Sequence, residues 1–479
     1  MDAAVIVVGA GPAGLMLAGE LRLAGVGVLV LDRLDERTGQ SRGIGATTRT
    51  VEILDERGLL GRFGPLDTAN FGHFGGVPLD LSVLGAAHEP AKTVPQSQIE
   101  LVLEKWAVGL GADLRRGHEV VGLTQDDDGA EVTVSTVDGE RTLRARFVVG
   151  CDGGRSAVRK LAGFGFPGTD ARRELLLADV RDIEVAPRMT GEKLERGMVL
   201  AGRMPDGTTR LVVSEYGVRP RPRHLAAGFS DVADAWLRVT GEDVSAATPL
   251  WASAFGDAAR QADRYRIGRV LLAGDAAHIH LAAGGQGMNT SIQDSVNLGW
   301  KLAAVVRGRA PEELLDTYHD ERHPVGARLL QVTRAQGELM LSGPEVVPLR
   351  SVIAELSTLP EVHAHLAAVV SGLEIRYDVG TGTNPLLGRR MPRWRVGDGT
   401  TTELLRAGRG VLLDLTGNAV LRDLTLPWTN RIDVVTAGSA DRGATTAVLI
   451  RPDGHVAWAA PGTHHDLRTA LTRWFGPSR

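Results

Sequence analysis

The chain is short of nearly everything that would mark it as secreted, membrane-bound or nucleic-acid-binding. It has one cysteine, Cys151, in 479 residues, so no disulfide can form within it and a reducing, cytoplasmic setting is expected. In "FVVGCD" that cysteine ends a strand pattern, which reads as a small buried apolar residue rather than a nucleophile. The apolar runs are short and broken by glycine or charge, so none is expected to span a membrane. The start, "MDAAVIVVGAG", carries no positive segment ahead of its apolar residues, and no signal peptide is expected. A net charge of -4 with both signs interspersed excludes the basic footprint of a nucleic-acid binder and any like-charge tail. No internal repeat is evident, and the histidines recur at no ligand spacing, so no metal is expected.

What is present is material for a core, at 43% hydrophobic residues, and a length that predicts two or three domains at roughly 150 residues each. The clearest segment is the first. "AAVIVV", residues 3 to 8, is a continuous β-branched run, the pattern of a strand buried on both faces. "GAGPAG" follows, then a helical pattern to Ala24 with Leu17, Ala18 and Leu21 on one side, then a second strand, "GVLVL", ending in Asp32. This βαβ unit has Gly9, Gly11 and Gly14 at the dinucleotide spacing and an acid about 20 residues on. Gly9 makes the tight turn, Gly11 lets the main chain approach a pyrophosphate, and Gly14 lets helix pack on strand. The helix N-terminus would hold the pyrophosphate, and Asp32 would accept from a ribose hydroxyl.

Two later stretches have the same form. "RARFVVGCDGGRSAVRK" is a strand running into Asp152, Gly153 and Gly154, then a helix bearing Arg155 and Arg159. "RVLLAGDAAHIHLAAGGQGMNTSIQD" is a buried strand delivering Asp275, then small residues, then a helix from near Gly287 with Ile292, Val296, Trp300 and Ala303 as its buried stripe. Taken singly, each Gly–Asp or Asp–Gly pair is an ordinary turn. In open α/β sheets, ligands bind outside the carboxyl ends of the strands, so the three tips together point at one crevice.

On these residues the chain resembles the single-component FAD-dependent aromatic hydroxylases of the para-hydroxybenzoate hydroxylase fold. "GAGPAG", "CDGGRSAVR" and "GDAAHIH…GGQGMN" are that family's three signatures in its order. More narrowly it is similar to the hydroxylases that tailor angucycline-type aromatic polyketides in actinomycetes, through "MLAGELRLAGV", "GHFGG", "KTVPQS", "GQGMNTSIQD" and "RPDGHVAWAAPG". The resemblance implies an α/β chain with a discontinuous Rossmann-type FAD-binding domain at 1–170 and 266–330. An antiparallel-sheet substrate domain at 171–265, a helical connection at 331–389 and a thioredoxin-like C-terminal domain at 390–479 complete it. That last domain has no cysteine, which excludes a redox role and leaves a structural or interface one; a homodimer stays open.

Residue by residue, the resemblance implies that Gly9, Gly11, Ala13, Gly14, Asp32, Arg33, Arg42, Gln96, Val120, Asp152 and Asp275 bind FAD. Asp32 stands where the family usually has glutamate, Val120 would meet the adenine end, and Asp275 a ribityl hydroxyl. Gly285, Gln286, Gly287, Met288 and Asn289 would face the ring, with the N–H groups of Met288 and Asn289 toward its N1–C2=O edge. Negative charge gathers there in the reduced flavin, so the positive helix end stabilises it. Ala282 departs from the family, which commonly has proline in this loop; alanine leaves the loop softer and adds an N–H.

The implied activity is a monooxygenase. NADPH, visiting without a domain of its own since no second GxGxxG occurs, reduces FAD, and O2 forms the flavin C4a-hydroperoxide that hydroxylates an electron-rich ring. Oxygen transfer itself demands no catalytic side chain. His73 in "NFGHFGG" is a candidate base for deprotonating substrate; a structural histidine is the bland alternative. Two other classes remain open from sequence: another FAD enzyme of this fold, such as a Baeyer–Villiger oxygenase or a reductase, and a non-catalytic flavin-binding module. A halogenase is disfavoured by the missing tryptophan-rich motif.

Overall fold

The computed structural model describes residues 1–41, 43–204, 206–222, 225–461 and 464–478. Its first layer is built on strand Ala3–Val8, whose Val5, Ile6, Val7 and Val8 are buried, as expected of an inner strand with helices on both faces. Gly139–Gly150 pairs with it in parallel on one side and Val28–Leu31 on the other. Val270–Leu272 extends the sheet beyond Gly139–Gly150, and Asp113–Arg115 extends it beyond Val28–Leu31, both in parallel. All five carboxyl ends therefore reach the same edge. Helices Pro12–Leu23 and Gln286–Val306 pack against each other; the Ser295 hydroxyl joins them by donating to the Ala13 carbonyl at 2.8 Å.

A second, antiparallel sheet runs in the order Arg188–Lys193, Gly197–Arg203, Thr209–Glu215, Glu174–Arg181, Thr248–Gly256. Period-two alternation gives it two apolar faces. Leu176, Ala178 and Val180 meet helix Phe229–Thr240 through Val232 and Trp236. Leu175, Leu177, Met198 and Val212 pack on Leu281, Ala283, Met340 and Leu341. The sheet thus covers the glycine-rich loop ahead of helix Gln286–Val306. Helix Asp316–Leu341 lines the other side of that loop: Leu281 would meet a side chain at Gly337.

The C-terminal sheet has the order Ile432–Thr436, Gly410–Asp414, Ala447–Ile450, Val456–Ala459, the first pair parallel and the rest antiparallel. Helix Ala419–Thr425 makes the parallel crossover and His464–Phe475 follows the last strand. This is the thioredoxin-like arrangement. Its hairpin turn, Arg451 to His455, reaches back into the first layer, where Arg451 is fully buried against Glu321 and Asp453. Among the described residues no helix is long and apolar enough to cross a membrane.

Candidate functional site

The three glycine-bearing tips lie on adjacent strands, and Asp32 follows the next strand of the same sheet. Gly9 takes φ +104, and a Cβ there would fall 2.4 Å from the Cys151 carbonyl oxygen; one at Gly14 would fall 1.9 Å from the Gly9 carbonyl. Glycine is required at both by close approach. At Gly11, the N-cap of helix Pro12–Leu23, a Cβ would meet nothing within 4 Å. The contrast separates packing glycines from one that leaves room for a ligand at the positive end of the helix.

Asp32 holds the turn by accepting from Ala10 N–H at 2.7 Å and Leu34 N–H at 2.9 Å, one bond on each oxygen. An ionised carboxylate has lone pairs for further donors, so this fits a ribose hydroxyl as well. Asp152 caps helix Ala157–Leu161 through the N–H groups of Ala157 (2.6 Å) and Val158 (3.1 Å), all on Oδ2, while its Oδ1 is buried without a partner. Burial raises its pKa. Arg159 locks this tip to the third by donating to the Gly154 and Ala276 carbonyls at 2.8 and 2.9 Å. Asp275 is exposed between buried Gly274 and Ala276, an acid held out over the crevice by a fixed main chain. An open helix N-terminus, an orphaned buried carboxyl oxygen and a projecting aspartate fit the diphosphate and hydroxyls of FAD.

The other predicted residues fall around the loop. Gly284 and Gly285 take φ +64 and +67, and Gly285 caps helix Gln286–Val306 with open space at its Cβ position. The N–H groups of Gln286, Gly287, Met288 and Asn289 are the unpaired donors of its first turn. The Asn289 side chain is committed locally: it accepts from Thr47 N–H at 2.9 Å and donates to the Gly285 and Gly45 carbonyls at 2.7 and 3.2 Å. Gln96 donates to Glu100 at 2.8 Å, and its amide oxygen and the Met288 methyl both lie near Gly43. Arg33 is exposed and Val120 is buried in strand Glu119–Gln125, so any ligand contact of Val120 is through its main chain. Arg42 lies outside the described residues. Cys151 is buried, and burial pushes its thiol pKa well up, which suits a packing residue.

Ala282 is exposed at the centre of a three-residue turn closed by Ala283 N–H and the Leu281 carbonyl at 2.8 Å. Its φ is negative, since Asp182 alone among described non-glycine residues is positive. That is an inverse γ-turn, whose central φ near -75° proline can adopt. His73 is half-buried in strand Phe71–Phe74. Burial, then Arg350, lowers its pKa, and Nδ1 accepts from Gly76 N–H at 3.3 Å. The neutral ring therefore carries its proton on Nε2, which makes it a donor; this is an obstacle to the base role expected from sequence. Gln336, fully buried, connects it to the loop: its amide oxygen accepts from Gly75 N–H at 3.3 Å and lies 3.3 Å from the Cβ position of Gly284.

Sequence reasoning missed the support beneath the third tip. Asp294 is fully buried and accepts from Gly274 N–H (3.1 Å), His278 Nε2 (2.7 Å) and Arg322 Nε (2.7 Å). Burial would raise its pKa, but Arg322 and then His278 outweigh this and lower it. Tyr318 adds a bond to the Leu272 carbonyl at 2.8 Å. Also missed was Arg210, buried on the covering sheet, which grips Asp179 at 2.8 Å on both oxygens and donates to the Ser41 carbonyl. The available signal was an acid two turns into a helix otherwise read by its apolar stripe.

Comparison with known proteins agrees with this geometry. The "FAD binding domain" family matches residues 2–333, and "Aromatic-ring hydroxylase, C-terminal" matches 384–478. The solved structure of BexE, studied for oxidation during BE-7585A biosynthesis, is 63% identical with a TM-score of 0.96 over 100% of both chains. That of CabE, an aromatic hydroxylase from angucycline biosynthesis, is 57% identical with a TM-score of 0.97, again over 100% of both. Rifampicin monooxygenase of Streptomyces venezuelae is 46% identical over 98% of each chain. A dinucleotide crevice at three strand tips, a glycine loop roofed by an antiparallel sheet and a thioredoxin-like tail accordingly place this chain in the family of FAD-dependent aromatic-ring hydroxylases.

Proposed function

We propose that the protein hydroxylates an angucycline-type aromatic polyketide in antibiotic biosynthesis, using NADPH and O2. The observation that carries this is the roofed loop, where the unpaired N–H groups of a helix N-terminus face a crevice lidded by an apolar sheet. The whole-chain likeness to CabE favours the angucycline class. When bound, FAD accepts the reducing equivalents of NADPH and activates O2. Asp32, the open turn at Gly11 and Asp275 would hold its ribose, diphosphate and ribityl groups. The N–H groups of Gly287, Met288 and Asn289 would stabilise negative charge on the pyrimidine edge of the ring, at no cost of reorganisation. Leu175, Leu177, Val212 and Ala283, packed in one apolar cluster, would keep water from that edge.

His73 is assigned as a hydrogen-bond donor from Nε2 to a substrate oxygen. His73→Gln, which keeps a donor, is expected to leave the pH profile of kcat/KM unchanged, and His73→Ala to lower kcat/KM by about tenfold, the worth of one such bond. Loss of a limb of the profile in His73→Gln would restore the base role. Ala282→Pro, which suits the turn and removes no hydrogen bond among the described residues, is expected to reduce the peroxide released per product; an unchanged ratio would show that loop softness does not govern coupling. The function itself is checked by following NADPH oxidation in air with and without an angucyclinone such as prejadomycin. Substrate-stimulated turnover is expected, and flavin-bound protein without it would discard the polyketide assignment.

A further inference from the structure

A cavity of about 460 Å³ lies behind helix Gln286–Val306. Ser291 and Ser295 turn toward Gly274 and Ala13 at the strand tips, whereas Gln286, Thr290 and Gln293 line the cavity. These last three are spaced i, i+4, i+7 and form one helical face. The facing wall is Val325, Leu329 and Val332, at the same spacing along helix Asp316–Leu341, with Val369 and Val370 closing one side. The cavity is thus a slot between a polar helix face and an apolar stripe, and Asp320, Arg328, Glu374, Arg376 and Asp378 also line it.

Part of the polar wall is unpaired. Gln293 is 8% exposed and makes no hydrogen bond among the described residues. The Thr47 hydroxyl and the Gln286 amide nitrogen, on the same wall, are buried without partners. Pro324, inside helix Asp316–Leu341, has no N–H to give to the Asp320 carbonyl one turn earlier, and both residues line the slot. Buried polar groups left without partners are costly, so a wall that keeps several together offers hydrogen bonds to a ligand or to ordered water. Most of the lining charges are spent elsewhere: Glu321 is bound to Lys301 and Arg451, Glu374 faces Arg328 at 3.7 Å, Arg376 donates to the Leu387 carbonyl at 2.9 Å and Asp378 accepts from Gly380 N–H at 3.1 Å, while Asp320 is exposed. A charged ligand would find no free counter-charge on those groups.

We propose that this slot is a second small-molecule site that takes a neutral, planar aromatic carrying keto and hydroxyl groups on its rim. The ring face lies on the valine and leucine wall, a keto oxygen accepts from the glutamine amides, and a hydroxyl donates to the Asp320 carbonyl. The volume is within the range of ligand pockets, roughly 300–1,000 Å³. Identifying the occupant with substrate or product of this enzyme rests on the function proposed above. The site has a direct line to the crevice, because Gln286 begins the helix whose first turn would face the flavin and Asn289, also on the wall, clamps Gly45, Thr47 and Gly285.

The test is equilibrium dialysis of the FAD-loaded full chain against 1,8-dihydroxyanthraquinone, with NADPH oxidation followed in parallel. The expected result is two bound molecules per chain. Val332→Trp, which fills the slot, should remove one of them and leave the flavin content unchanged; Gln293→Leu should weaken the same one by about tenfold. A single bound molecule per chain whose affinity neither variant changes, or two whose affinities neither variant changes, would overturn the proposal. If the probe fails to stimulate NADPH oxidation but Val332→Trp still removes a bound molecule, the slot stands and the substrate class proposed for the crevice falls.

Discussion

Asp294→Ala is expected to lower stability by about 3–5 kcal/mol, the cost of stranding a buried charge, and to release FAD from protein that still folds. The mutation leaves the Arg322 guanidinium, fully buried, with only the Tyr377 hydroxyl at 2.9 Å and the Thr290 carbonyl at 3.3 Å. It also removes the acceptor for His278 Nε2 and for Gly274 N–H. Gly274 is in the left-handed region at φ +63, and it immediately precedes Asp275, so the turn that aims Asp275 into the crevice loses its anchor. Asp294→Asn keeps the shape but not the charge and should fall between wild type and alanine. Urea denaturation and the FAD retained on gel filtration measure the two effects. A loss under about 1 kcal/mol, in the range of an exposed pair, would show that the support is dispensable.

Arg451→Met is expected to cost a similar amount, about 3–5 kcal/mol, by unstitching the C-terminal hairpin from the first layer. Arg451 donates to both oxygens of Glu321, at 2.5 and 2.9 Å, and to Asp453 at 3.1 Å, with its guanidinium 4.4 Å from the Trp474 ring centroid. Burial alone would raise the Glu321 pKa, but Arg451 and then Lys301 hold it down to about 2; Asp453 is held well below its ordinary value by Arg451 and His455, again against burial. The unfolded chain therefore binds more protons than the native one between the ordinary carboxylate range and about pH 2. The stabilisation these groups give is complete above about pH 4.5 and is lost as pH falls through that window. Arg451→Met should flatten this acid dependence as well as lower the plateau. Denaturation midpoints measured from pH 6 downward would show both, and a variant with the wild-type slope would locate the acid sensitivity elsewhere.

These two networks mark the limit of what sequence alone could show. The three tips were readable because each is local: an apolar strand run and a glycine turn, with the acid within a few residues at the second and third and at the end of the next strand at the first, which the parallel register then sets side by side. Strand Ala3–Val8 and helix Pro12–Leu23 fall where the pattern puts them, give or take a residue at the C-cap. The helix after the third tip was found from Ile292, Val296, Trp300 and Ala303, but a one-sided stripe was too simple. That helix is buried almost all round, packed by Pro12–Leu23 on one side and Asp316–Leu341 on the other. Asp294 and Lys301, which such a stripe leaves unexplained, lie inside with partners 28 and 20 residues away in sequence. Periodicity carries no information about a charge whose partner is on another helix. His73 shows the same limit at the site: its residue type suggested a base, whereas the Gly76 N–H three residues on decides which nitrogen holds the proton.

The most direct test is turnover under ¹⁸O2 with the FAD-loaded enzyme, NADPH and an angucyclinone, followed by mass analysis of the product. A product heavier by one oxygen atom is expected, with that atom from O2 and NADPH consumed in step with it. Product oxygen from water, or NADPH oxidised to peroxide alone with the substrate returned unchanged, would contradict it.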